Sequence, residues 1–281
     1  MARVDEAGGV VPARGIETGI SARVGEFSLK ALASLGSIVV LLVAWELLAR
    51  SGTFTPFLLP KFTVVIERIA TDMWSGIWFT SIGATLYRAV VGFLAAAVIG
   101  VPLGILMARK LSVRWFFDPV VSVGFPAPKI AFLPIFILWF DLYDTSKILM
   151  ISFNAIFPIV AATWAGTFTV DKHFIWSARS LGASDREILN EVILPAAMPQ
   201  ILTGLQIALP ISLIVALVCE FLMGGNGLGG LMIDSQRYGD SPGVFAGIVS
   251  IACAGMILIK SLEYIRKRLL AWHPEAEAAT A

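Results

Sequence analysis

The chain has 281 residues, of which 57% are hydrophobic and only 15% are charged. Soluble domains carry roughly 25% charged residues, so this composition predicts an integral membrane protein. The formal net charge is +1, which provides no basic field of the kind that attracts nucleic acid, and no nucleic-acid partner is expected.

The two ends of the chain differ in composition from its middle. Residues 1–28 are polar and glycine-rich, and they lack the apolar core and small-residue cleavage site of a signal peptide. We expect this segment to be a mobile cytoplasmic tail. Residues 29–270 are expected to form one transmembrane domain, and residues 271–281 a second cytoplasmic tail.

Long apolar stretches dominate the middle of the chain. A helix needs about 20 mostly apolar residues to cross a bilayer, and six stretches satisfy this requirement. They are residues 31–49, 77–108, 119–140, 148–168, 201–223 and 244–264. The third stretch contains three prolines, which interrupt helices. We therefore predict an all-α polytopic membrane protein with six transmembrane helices.

The distribution of lysine and arginine indicates the orientation. These residues concentrate in the segments that are cytoplasmic if the N-terminus lies inside. The positive-inside rule then predicts that both termini and the loop 169–199 face the cytoplasm. Between the first two spans, apolar residues recur at helical spacing after Pro60, which predicts an external amphipathic helix.

The predicted cytoplasmic loop contains the segment WSARSLGASDREILNEVILP, residues 176–195. Apolar residues on one helical face precede Gly182, which predicts a short helix that ends at this glycine. Ser184 and Glu187 have the spacing of a capping box, which predicts that a second helix starts there and stops at Pro195. Such a bent amphipathic unit could also lie in the lipid headgroups.

The same segment resembles the EAA loop of binding-protein-dependent ABC permeases. The match rests on Ala178, Gly182, Ala183, Ile193, Leu194 and Pro195, whereas Trp176 and Ser177 stand where the family has Glu and Ala. The resemblance implies a coupling helix seated in a groove of an ATPase subunit. The coupling residues implied are Trp176, Ser177, Ala178, Gly182, Ala183, Asp185, Glu187 and Pro195.

The resemblance extends from about residue 45 to residue 272. LLPKFTVVIERI, FPAPKIAFLPIFILWF and LPAAMPQILTGLQIAL look like segments of the nitrate/sulfonate/taurine group of these permeases. This implies a permease subunit of an ATP-driven importer in the bacterial inner membrane. The implied partners are a second permease copy, membrane lipid, an external substrate-binding protein and two ATPase subunits that bind ATP and Mg. The implied substrate is a small anion, with pyrimidine vitamin precursors and aromatic acids as alternatives.

Polar residues inside the predicted spans are candidates for the translocation path. They are Arg88, Lys129, Asn154, Gln206 and Glu220. A charge at the centre of a bilayer costs at least about 2.5 kcal/mol, so the three charged members need partners or water. For Arg88 and Glu220 the alternative is pairing between helices or snorkelling near the end of a span, and for the two amides it is packing hydrogen bonds.

Several other patterns argue against an enzyme. The chain contains no Walker A sequence, so ATP is expected to bind another polypeptide and this chain is expected to hold no cofactor. Residues 225–230, GNGLGG, match a dinucleotide-binding pattern but follow a span instead of a strand, and we interpret them as an external turn or re-entrant loop. Neither His173 nor His273 has neighbours at metal-ligand spacing. A polytopic membrane enzyme would need a nucleophile with a nearby base or paired carboxylates at matching depth, and the predicted spans contain neither. A secondary transporter would typically show internal repeats, and the sequence shows no convincing one.

Overall fold

The computed structural model describes residues 36–272, so the predicted tail at 1–28 and nearly all of 271–281 lie outside the described residues. Within this range the chain is helical and contains no strand, which confirms the all-α prediction. The helices are α1 (36–50), α2 (Phe62–Trp74), α3 (Ile77–Arg109), α4 (Leu111–Gly124), α5 (Leu133–Phe140), α6 (Asp144–Phe168), α7 (Lys172–Ser180), α8 (Asp185–Glu187), α9 (Leu194–Met223), α10 (Leu228–Arg237) and α11 (Ser241–Leu269).

Four helical stretches among residues 36–272 are long and apolar enough to cross a membrane: α3, α6, α11, and the run Asp185–Met223 that ends in α9. A fifth crossing is counted if α4 and α5 together form one bent span. The predicted first span begins before the described residues and is helical from residue 36. Six spans and cytoplasmic termini therefore stay predictions.

The predicted third span is not a single helix. It divides into α4 and a second segment, a short 3₁₀ turn leading into α5, and the two segments lie at 99° to each other. Pro126 and Pro128 lack an N–H and disfavour helical backbone before them, which accounts for the break. The Lys129 ammonium folds back and donates to the carbonyls of Gly124 (2.9 Å) and Phe125 (2.8 Å), at the negative end of α4.

The predicted helix end at Pro195 is wrong. From Asp185 the helix passes through one widened turn, Ile188–Ile193, and continues into α9 without a break. Pro195 falls in the first turn of α9, where a missing N–H costs little. Helix α9, which contains the predicted fifth span, is consequently joined to the end of the loop before it as one continuous helix.

Helices α3, α6 and α9 form the core of the bundle. Along α3, glycines contact α6 in steps of one or two turns: Gly92 faces Ile151, Gly100 faces Ile159 and Gly104 faces Thr163. Because both residue numbers rise together, the two helices run in the same direction. Small residues at this spacing let the two backbones approach closely, as is common within membranes.

Short helices lie at both ends of this bundle. We call the end that carries α2, α10 and the starts of α3 and α6 the α10 end, and the opposite one the α7 end. The predicted amphipathic helix is confirmed as α2, whose Arg68 binds Asp240 at the start of α11 with a 2.6 Å contact. The Trp45 indole donates to the Pro60 carbonyl and fixes α1 beside this layer.

The α3–α6 contact predicts a selective effect of added methyl groups. A Cβ at Gly92 would lie 2.7 Å from Ile151 Cβ and 3.0 Å from the Ile148 carbonyl oxygen. Gly92→Ala should cost about 1–3 kcal/mol through overpacking and lower the midpoint of thermal unfolding in detergent. Gly83→Ala, on the same helix but facing open space, is the control and should be neutral or slightly stabilising. Equal midpoints for both variants would contradict the packing.

Candidate functional site

A cluster of four charged side chains lies at the α10 end, and we call Arg88, Asp144, Lys147 and Glu220 the charge cluster. Arg88 on α3 contacts two carboxylates: its Nε lies 2.7 Å from Asp144 Oδ1 and its Nη1 lies 2.6 Å from Glu220 Oε1. The cluster therefore joins the start of α6 and the end of α9 to α3. The sequence-based alternative for Arg88 and Glu220, pairing between helices, is observed.

Burial in this cluster is unequal. Glu220, Lys147 and Arg88 are only 0%, 2% and 4% exposed, whereas the Asp144 side chain is 52% exposed. A buried charge is tolerated only where opposite charges and hydrogen bonds compensate it. Two cations and two carboxylates supply this balance, so the cluster is neutral as a whole.

The glycine-rich turn at 224–230 completes the hydrogen bonding of the cluster. The Gly229 amide donates to Glu220 Oε2 (2.9 Å), and the Thr85 hydroxyl donates to the same carboxylate. Arg88 also donates to the Asn226 carbonyl. Gly227 has φ +139°, and a Cβ there would run into the Glu220 carboxylate, which explains the glycine. This turn binds side chains of its own chain, and a dinucleotide is not needed to explain its sequence.

The structure does not bring the other three path candidates to this cluster. Lys129 lies against the end of α4, Asn154 donates to the Met150 carbonyl on its own helix, and Gln206 accepts from Arg266 on α11. The sequence predicts a packing hydrogen bond between helices for Asn154, but the observed bond lies within α6. Gln206 is fourteen residues before Glu220 on α9, a rise of about 21 Å.

Sequence reasoning missed two members of the charge cluster. The predicted fourth span began at residue 148, which left Asp144 and Lys147 outside the membrane. In the structure both belong to the first turn of α6, and Lys147 is buried. Their spacing of three residues directly before an apolar run was the available signal, because it places both on one face of a helix start.

The first helix of the loop at the α7 end is α7, and it ends at Gly182 as predicted. The Ala183 amide donates to the Ala178 carbonyl and the Gly182 amide to the Arg179 carbonyl, both at 3.1 Å. This is the Schellman pattern, and it places Gly182 in the left-handed region with φ +88°. A side chain at this position strains the backbone even though the space around it is open.

The predicted capping box is also confirmed. The Ser184 amide donates to Glu187 Oε2 (2.7 Å), and the Glu187 amide donates to Ser184 Oγ (3.3 Å). The hydrogen bonds from the Ser184 hydroxyl and amide lower the pKa of Glu187. Because the folded pKa is the lower one, this contribution to stability is complete above the unfolded pKa and disappears as pH falls through the folded pKa.

Most of the coupling residues inferred from the sequence are accessible. Ala178, Ala183 and Pro195 are half-buried, and the remaining five are exposed. Trp176 is 58% exposed and Leu181 is 88% exposed, so the surface of α7 presents bulky apolar groups. The carboxylates nearby are engaged, since Asp185 pairs with Arg179 at 3.1 Å and Glu187 serves the capping box. The loop therefore presents exposed apolar side chains and carboxylates that already have partners within the loop.

Comparison with known proteins gives the family of this helical bundle. The family model of the binding-protein-dependent transport system inner membrane component matches residues 100–271, more than half of the chain. The chain belongs to this family. It is a permease subunit of an ABC importer and a multi-pass inner-membrane protein. Membership favours transport over the membrane-enzyme alternative.

Individual relatives agree with this assignment. The taurine transport system permease protein TauC of Escherichia coli is 34% identical over 250 residues, which cover 87% of this chain and 90% of that protein. The putative aliphatic sulfonates transport permease protein SsuC of Bacillus subtilis is 30% identical, over 85% of this chain and 86% of that protein. The solved inward-facing MetNI methionine ABC transporter has a TM-score of 0.55 at 19% identity, covers 68% of this chain and 98% of that one, and shows the fold alone.

The charge cluster predicts an asymmetry between two glutamates. Glu220→Leu leaves Arg88 and Lys147 buried with one carboxylate fewer, which should cost about 3–5 kcal/mol and sharply lower thermal stability in detergent. Glu263→Leu removes the partner of exposed Lys260 and should cost less than about 1 kcal/mol. Adding Arg88→Leu to Glu220→Leu should recover part of the loss. A similar loss for both single variants would contradict a compensated buried cluster.

Proposed function

We propose that two copies of this chain form the translocation pathway of an importer for small organic anions of the sulfonate class. The similarity to TauC, 34% identity with 90% of that protein covered, carries the proposal. A second candidate substrate is a pyrimidine vitamin precursor. It is favoured by 31% identity to the formylaminopyrimidine transport permease protein ThiX of Halalkalibacterium halodurans, over 87% of this chain and 97% of that protein.

A groove of about 450 Å³ between α4 and α6 supports the proposal that a second permease copy packs against this chain. Its walls are largely apolar but include Asp118, which forms no ion pair among residues 36–272. A carboxylate within a membrane-spanning segment needs water or a polar partner. A second permease copy facing this groove, with a hydrated path between the two copies, would supply Asp118 with water and with polar partners.

We place the ATPase subunits at the α7 end. The exposed apolar surface of α7 suits a groove on another protein, and the unbroken helix Asp185–Met223 would carry movement from that contact into the bundle. ATP and Mg would bind to a pair of these subunits. The coupling role of Trp176 through Pro195 follows the EAA-loop resemblance and this exposure.

The binding protein would then dock at the α10 end, with lipid around the exposed apolar faces of the spans. Topology by the positive-inside rule supports this arrangement. Of the five path candidates, Arg88 and Glu220 lie at this proposed entrance, whereas Asn154 and Gln206 lie deeper along α6 and α9. Lys129 has a structural use at the break after α4.

Coupling at the α7 end predicts different consequences for two similar glycines. Gly182 and Gly52 both have positive φ, +88° and +75°, and both face open space, so leucine strains the backbone at either position. Gly182→Leu should reduce uptake at least tenfold while basal ATP hydrolysis in the reconstituted complex persists, because contact with the ATPase is disturbed. Gly52→Leu should retain uptake within about twofold. Normal stimulated hydrolysis and uptake for Gly182→Leu would refute the coupling role.

The substrate class is tested by uptake into proteoliposomes that contain the permease, its ATPase and its binding protein. Radiolabelled taurine and ethanesulfonate should accumulate when ATP is supplied on the ATPase side. Formylaminopyrimidine in hundredfold excess should not compete. Accumulation of the pyrimidine without accumulation of either sulfonate would replace the first candidate by the second.

A further inference from the structure

A cleft of about 460 Å³ opens at the α10 end, directly beside the charge cluster. Its walls include Arg88, Asp144, Thr145, Lys147 and Asn226. Two of these residues are cations that are at least 96% buried in the folded chain, yet both line the cleft. The floor of the cleft therefore contains two buried cations that packing holds in place.

The charges along this floor do not cancel without Asp144. Glu220 is fully buried and is committed to Arg88, Thr85 and the Gly229 amide. Arg88 and Lys147 then exceed Glu220 by one positive charge. Asp144 supplies the missing negative charge from a half-exposed position, so it is the member of the cluster that can turn away into water at least cost.

Lys147 has hydrogen-bonding capacity that the chain does not use. An ammonium group carries three donors, and among residues 36–272 its Nζ donates to one acceptor, the Gly224 carbonyl at 2.7 Å. No carboxylate of the described chain lies within 4 Å of it. The first turn of α6 also lines the cleft and adds the partial positive charge of a helix start.

We infer that this cleft is a binding site for a small oxyanion such as a sulfonate, held by the Arg88 guanidinium and the Lys147 ammonium. The Asp144 carboxylate occupies the site in the anion's absence and is displaced when the anion enters. Such exchange keeps the buried cations neutralised at every stage, which lowers the cost of receiving an anion at the entrance. The identification of this anion as the transported substrate rests on the proposed function, but the electrostatics of the cleft do not.

The electrostatic arm of the test uses thiol reagents that differ only in charge. Thr145→Cys places a thiol on the exposed rim of the cleft, in a Cys253→Ser background because Cys253 is exposed and Cys219 is buried. The purified permease–ATPase complex is treated with sulfonatoethyl and trimethylammonioethyl methanethiosulfonates. The measured quantity is the ratio of the anionic to the cationic reaction rate.

Adding Asp144→Asn should raise this ratio about three- to tenfold, and adding Lys147→Gln should lower it by a similar factor, as expected for one charge at a distance of several ångströms. Asp234→Asn is the matched control, since this exposed carboxylate also lies at the α10 end but outside the cleft. It should change the ratio less than twofold. Unchanged ratios for both cluster variants, or an equal change for the control, would overturn the inference.

The binding arm uses ethanesulfonate as the probe and dimethyl sulfone as its uncharged counterpart. Ethanesulfonate should slow modification of the Thr145→Cys thiol by uncharged methyl methanethiosulfonate, and Asp144→Asn should lower the concentration that gives half protection at least threefold. Equal protection by dimethyl sulfone, or none by ethanesulfonate in either background, would refute an oxyanion site. If the reconstituted complex transported only the pyrimidine, the proposed substrate would fail while these measurements still decided the chemistry of the cleft.

Discussion

The carboxylate of Glu220 is the constraint on which the arrangement of the α10 end depends. It lies fully buried among apolar helices, where an uncompensated charge would be intolerable. Arg88 from α3, the Thr85 hydroxyl and a backbone amide of the glycine-rich turn converge on it. These contacts tie residues 224–230 and the start of α10 to Glu220, and they join α3 to the end of α9.

Close packing of α3, α6 and α9 provides the frame that holds this cluster. Glycines along α3 bring its backbone against α6, and Gly166 and Gly204 do the same between α6 and α9. In a membrane, where lipid tails compete equally for apolar surface, contact of this kind supplies much of the association between helices. The close contacts at these small residues thus hold the three helices that carry the charge cluster.

Features determined by neighbouring residues could be predicted from the sequence. The helix end at Gly182 and the Ser184–Glu187 capping box follow from local backbone geometry and short side chains, and both are present as predicted. The amphipathic α2 follows from periodicity alone. The all-helical class likewise follows from long apolar stretches, because only satisfied backbone is stable in lipid.

Features determined by distant residues could not be predicted in this way. The role of Lys147 depends on a turn 77 positions later in the chain, so its own neighbours in sequence could place it at a helix start but could not identify its partner. Pro195 looked like a helix end because the widened turn before it has no clear sequence signature. The break after α4 was suggested by its prolines, but its angle depends on how Lys129 and the neighbouring helices accommodate the freed carbonyls.

The unbroken helix from Asp185 to Met223 has a mechanical consequence. Its 39 residues span roughly 58 Å, so one rod reaches from the loop at the α7 end to the level of Glu220. Because the helix is continuous, a displacement of its first turn would be carried toward the glycine contacts between α6 and α9. The widened turn at Ile188–Ile193 lies between the loop and the long part of this helix, so its stiffness would determine how much of a displacement at the loop reaches the other end.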